Sequence, residues 1–173
     1  MQYFSWASLN ESIIKLDYIS LLFGYSKLLK SNSFKNGKLS ITSLSCLNEI
    51  LSKNYVPNQY KDFITLFFNN SCEILLNPTC FTPDYHNKFI QLLELFISNH
   101  THRIEALSLP IIDMLSLVFK YTFMNEDMFM NVLQVWNMLL DNLCSMKEQK
   151  NNAYEKYVPM GVMSNCIGIW EDW

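Results

Sequence analysis

Three apolar stripes at helical spacing follow one another between Tyr85 and Cys144, and they limit the possible folds more than any other feature. Phe89, Leu92, Leu93, Phe96, Ile97 and Ile104 recur on one side of a first helix. A second opens at Pro110, where the missing amide is no loss in a first turn, and aligns Ile111, Leu115, Val118, Phe119 and Thr122. A third aligns Phe129, Val132, Leu133, Trp136, Leu140 and Leu143. Stripes this wide cannot face water. Consecutive helices with short turns cover each other as antiparallel hairpins. The expected core therefore includes Phe96, Leu115, Phe119, Trp136 and Leu140.

The upstream chain repeats the pattern. A helix is expected from Lys15 to Lys30, burying Ile19, Leu22, Phe23 and Leu29. Ser31 to Lys38, with Gly37, reads as a turn. A helix from Leu39 to Lys53 follows, burying Ile41, Leu44, Leu47, Ile50 and Leu51. Pro57 ends it, and Asn58 to Leu76 makes the next, with Tyr60, Phe63, Ile64, Phe67, Phe68 and Leu75 inward. Two helices per roughly 40 to 50 residues is the size of a HEAT-type or armadillo-type repeat. On period alone, a compact helical bundle fits nearly as well.

Composition narrows the function. Half of the 173 residues are apolar, enough for one sizeable core, and the net charge is −3. Lys and Arg are scattered, with no basic run to meet phosphates, so nucleic acid is not an expected partner. Five cysteines without a CxxC pair fit a reduced interior. Apolar runs break well short of the roughly 20 residues a bilayer needs, so no membrane insertion is expected. Met1 to Ser12 lacks the pattern of a secretory signal.

The chain offers little catalytic chemistry. His100 and His102 lie two apart, about 200° around a helix, and cannot share a metal there. With His86 they are expected at the surface or at helix ends. Glu94, Glu105 and Asp113 are single carboxylates without a matched nucleophile. Four glycines leave no Gly-rich phosphate loop. Neither catalysis nor a metal or other cofactor is expected.

Certain stretches are more specific than their period. Ser45-Cys46-Leu47-Asn48-Glu49-Ile50-Leu51-Ser52-Lys53-Asn54-Tyr55-Val56-Pro57 resembles a segment from the importin-β superfamily of nuclear transport receptors. Phe4-Ser5-Trp6, Arg103-Ile104-Glu105, Phe119-Lys120-Tyr121-Thr122-Phe123 and the helix around Trp136 resemble the same receptor, in the same order. The resemblance covers Tyr3 to Ser145, and Met146 to Trp173 departs from it. It implies an all-α HEAT-repeat solenoid of antiparallel hairpins, about three pairs over residues 1–145, with a divergent tail at 146–173. It also implies a shuttling export receptor, present in nucleus and cytoplasm, with protein cargo and the GTPase Ran as partners. The member it looks like carries actin bound to profilin. Such receptors are several times longer, and the repeats forming their principal Ran site have no counterpart here.

In that family the second helix of each hairpin lines the concave, partner-binding side. Here those helices are Asn58–Leu76 and Pro110–Phe123. Opposite their apolar stripes stand Asp62, Asn69 and Glu73 on the one and Asp113, Leu117 and Lys120 on the other. These six are the expected partner-binding residues. A plain helical scaffold for protein–protein contact, without transport, is the rival reading.

Overall fold

A computed structural model describes residues 15–28, 34–53, 60–78, 82–124 and 129–148. Six helices account for nearly all of them: α1 (Leu16–Ser26), α2 (Phe34–Ser52), α3 (Tyr60–Leu76), α4 (Pro83–Ala106), α5 (Ile111–Thr122) and α6 (Phe129–Glu148). The described residues contain no strand.

Local chemistry sets the ends. Pro83 opens α4 and Asp84 sits in its first turn, where a carboxylate meets the positive end of the helix dipole. The other end of α4 closes without glycine. Ser108 takes a left-handed φ of 54°. The Leu109 amide then reaches the Ile104 carbonyl at 3.1 Å, and the Ser108 amide reaches that of Glu105 at 2.9 Å. This pair of bonds is a Schellman closure. Pro110 follows at once and caps α5.

Alternate helices fall into two layers. In the first, α3 packs against both α1 and α5. In the second, α4 packs against α2. Across the layers α1 meets α2, and α3 meets α4. Helices two apart in sequence therefore stack side by side, as consecutive hairpins do in a helical-repeat array. Burial of aromatic faces holds the layers together. Phe67 of α3 meets Phe23 of α1 edge-on at 5.1 Å and lies nearly parallel to Phe96 of α4 at 5.7 Å. All three rings are fully buried.

Asparagines tie the second layer. Asn48 of α2 donates to the Lys88 carbonyl at 3.0 Å and to Gln91 at 3.2 Å. Asn99 of α4 returns a bond to the Leu51 carbonyl at 3.1 Å. Asn131, in the first turn of α6, donates to Asn87 at 2.7 Å. The bonds of Asn48 and Asn99 satisfy polar groups in a half-buried seam and fix how α2 lies along α4, whereas the Asn131 bond is exposed.

The chain divides into two compact units, Met1–Val135 and Trp136–Trp173, and the layering described belongs to the first.

Most expected core positions are inside, although Leu22, Ile41 and Tyr60 are only half-buried, and three further expectations are corrected. The helix expected from Leu39 begins at Phe34 and runs through Gly37, within the stretch whose composition predicts a turn. A helix tolerates one glycine at about 1 kcal/mol, and neighbouring packing outweighs that. Phe119 is half-buried, and the neighbouring Tyr121 is the inward aromatic. On α6 the inward side is rotated: Val132, Val135 and Leu139 are buried, Leu133 and Trp136 are half-buried, and Leu140 is 40% exposed. This helix carries two apolar arcs, and spacing alone cannot choose between them. Leu29 and Leu143 lie outside the described side chains.

Candidate partner-binding surface

The six expected residues sit on two helices of one layer. Asp62, Asn69 and Glu73 are all exposed on α3, spaced so that they share one side of it. The opposite side buries Phe63, Ile64, Phe67, Phe68, Ser71, Ile74 and Leu75. On α5, Asp113 and Lys120 are exposed and Leu117 is half-buried, opposite Ile111, Met114, Leu115 and Val118. The two rows are neighbours. Burial pushes the Cys72 thiol of α3 up to about 11, and the Asp113 carboxylate of α5 adds to the shift. Asp113 therefore acts at short range on the flank of α3.

Glu73 differs from the other five. Lys27, just past the end of α1, forms an ion pair with Glu73 and donates to Asn70 at 2.6 Å. The contact pins the end of α1 to the C-terminal half of α3, as parallel neighbours in one layer require. The Glu73 charge is thus already answered within the chain. Sequence reading missed Lys27 because the pair spans two helices.

A second missed feature lies on α1. Tyr18, Leu21, Tyr25 and Leu28 are exposed and recur every three or four residues, away from buried Ile19, Phe23 and Ser26. The signal was present in the sequence: α1 is apolar nearly all round.

The histidines also correct the expectation. His86 and His100 are buried rather than superficial; His102 is exposed. His86 Nδ1 lies 2.9 Å from the Tyr121 hydroxyl. His100 Nδ1 lies 2.9 Å from the Arg103 guanidinium, which can only donate, so Nδ1 accepts and the ring is neutral. Burial, reinforced by the Arg103 charge, lowers its pKa to about 4. Among the described residues no three His, Cys, Asp or Glu side chains gather as a metal site would require. No described helix is long and apolar enough to cross a membrane.

Over 160 residues the chain is 31% identical to exportin-6 of Dictyostelium discoideum, covering 86% of this chain and 14% of that protein. Mouse and human exportin-6 are each 31% identical over 144 residues, covering 70% of this chain and 13% of theirs. This chain is an exportin-6-like segment. Exportin-6 and its relatives are nuclear export receptors with HEAT-type solenoid folds, and the two-layered helix array is the fold such a segment requires. The chain spans about one seventh of the exportin-6 proteins it matches. No family model matches the chain, and no solved structure does.

Proposed function

We propose that the chain is a repeat segment of a nuclear export receptor, binding protein cargo through the outward sides of α3 and α5. The proposed cargo is actin held by profilin. Export depends on Ran in the full-length receptor, which shuttles between nucleus and cytoplasm. One observation carries this reading: similarity to exportin-6 extends over 86% of the chain. The geometry supports it, because Asp62, Asn69, Asp113 and Lys120 are exposed on adjacent helices and contribute no buried packing. Solenoids bind through many modest contacts along such surfaces.

The test places this segment into Dictyostelium exportin-6 in place of its own. Asp62→Lys, Asp113→Lys and Lys120→Glu are then introduced together, with Glu73 kept because it holds Lys27. Binding of purified profilin–actin is measured with and without Ran loaded with GTP. The expected result is Ran-dependent binding by the chimera, weakened at least tenfold by the triple change at unchanged helicity. Equal binding by both would move the cargo surface elsewhere, and Ran-independent binding would favour a scaffold.

A further inference from the structure

The passage from α5 into α6 carries a chain of three rings and two methionines. Phe119 meets Phe123 edge-on at 5.0 Å, and Phe123 meets Phe129 at 6.0 Å. Met124 follows Phe123 and is 53% exposed; Met130 follows Phe129 and is 70% exposed. Backbone bonds hold the end of α5: the Phe123 amide reaches the Lys120 carbonyl at 3.3 Å, and the Met124 amide reaches that of Tyr121 at 3.2 Å. Met130 stands about 140–180° around α6 from Val135 and Leu139, which are buried. Burial of other residues thus leaves both methionines at the surface. Met114 of α5, by contrast, is fully buried, and Met138 of α6 is half-buried. Met128 lies outside the described residues.

Sulfur chemistry sets these two residues apart from the cysteines. A thiol attacks an oxidant as its thiolate, and burial raises the pKa of Cys46 and of Cys72, the latter to about 11. At neutral pH both are protonated and slow to react. A thioether has no proton to lose, so its reaction is governed by access. With hydrogen peroxide the sulfur lone pair attacks one peroxide oxygen, the O–O bond breaks and an S=O bond forms. The other oxygen leaves as water with both protons. Sulfur gives up two electrons and the peroxide takes them. The product replaces a flexible apolar side chain by a polar one.

We infer that Met124 and Met130 form a peroxide-sensitive modification site, whose oxidation switches the exposed apolar surface between α5 and α6 to a polar one. Phe123, 52% exposed, lies between them in sequence and shares that surface. Two sulfoxides hydrate it and leave the core intact, since neither methionine is buried. The switch is reversible. Methionine sulfoxide reductases, one for each sulfoxide epimer, restore the thioether. The oxygen then leaves as water and a dithiol becomes a disulfide. The site is independent of which protein the segment binds.

The whole chain is treated with hydrogen peroxide and quenched with catalase at intervals, and the oxygen gained by each methionine is located by fragmentation mass spectrometry. Met124 and Met130 are expected to oxidise at least tenfold faster than Met114. Fluorescence of the apolar dye anilinonaphthalene sulfonate, followed alongside, should fall as they react, at unchanged helicity, and recover when both reductases and a dithiol are added. Met124→Leu/Met130→Leu keeps the surface apolar without sulfur, and there the fall should be at least twofold smaller. Oxidation of Met114 at a rate within tenfold, constant dye fluorescence, a fall that accompanies lost helicity, no recovery with the reductases, or a fall in the double variant that is less than twofold smaller would each overturn the inference.

Discussion

The imidazole of His86 and the phenol of Tyr121 lie 8° from parallel with centroids 5.1 Å apart, and Nδ1 meets the hydroxyl at 2.9 Å. His86 is in the first turns of α4 and Tyr121 in the last turn of α5, so this contact closes the hairpin at the end opposite the Ser108 turn. Tyr121→Phe keeps the ring and removes the hydroxyl, leaving a buried ring nitrogen without its partner. The expected loss is about 1–3 kcal/mol, read from urea unfolding.

Acid should weaken the fold through the same residue type. The pKa values of His86 and His100 are lowered by burial, that of His100 to about 4. An unfolded imidazole titrates near 6.5. Between about 4 and 6.5 the unfolded chain therefore binds protons that the folded chain refuses, so stability rises with pH through that window and levels off above it. Glu94, whose pKa burial raises, acts in the opposite sense above the ordinary carboxylate range. Urea midpoints at pH 7, 6 and 5 should fall in that order, and His100→Asn should flatten the trend.

Ser108 holds a left-handed backbone that a side chain disfavours. Ser108→Gly is expected to stabilise the chain by about 0.5–1 kcal/mol, the relief exceeding the added freedom of the unfolded chain. Ser108→Val should destabilise it by more than 1 kcal/mol, since a branched side chain is worse in that region. Thermal unfolding of the two variants should move in opposite directions.

Core truncations should grade with burial. Phe67 is fully buried among Phe23, Phe63 and Phe96, so Phe67→Ala should cost about 3–5 kcal/mol. Leu140 is exposed, and Leu140→Ala should stay within about 0.5 kcal/mol of the parent. A large loss at Leu140 in urea unfolding would place that side of α6 against a neighbour.

The Lys27–Glu73 pair is partly exposed, so Glu73→Gln should cost no more than about 1 kcal/mol, and less as salt is raised. Hydrogen exchange at the end of α1 should quicken in this variant if the pair fixes that end.

The sequence alone determined the helices and most of their inward sides. The stripes of α3 and α4 are buried residue for residue from Phe63 to Phe68 and from Phe89 to Ile104, because one dominant apolar arc leaves a helix a single way to face its core. It also carried the likeness to nuclear export receptors, through local identities that survive without coordinates. Tertiary structure decided what local pattern leaves open. On α6, with two apolar arcs, it turned Val135 inward and left Leu140 outside. It buried His86 and His100 by supplying Tyr121 from another helix and Arg103 from one turn on. It tied Glu73 to Lys27, and it brought Asp113 of α5 near Cys72 of α3. Residues far apart in sequence become neighbours only when helices stack, and periodicity within one helix has no access to that register.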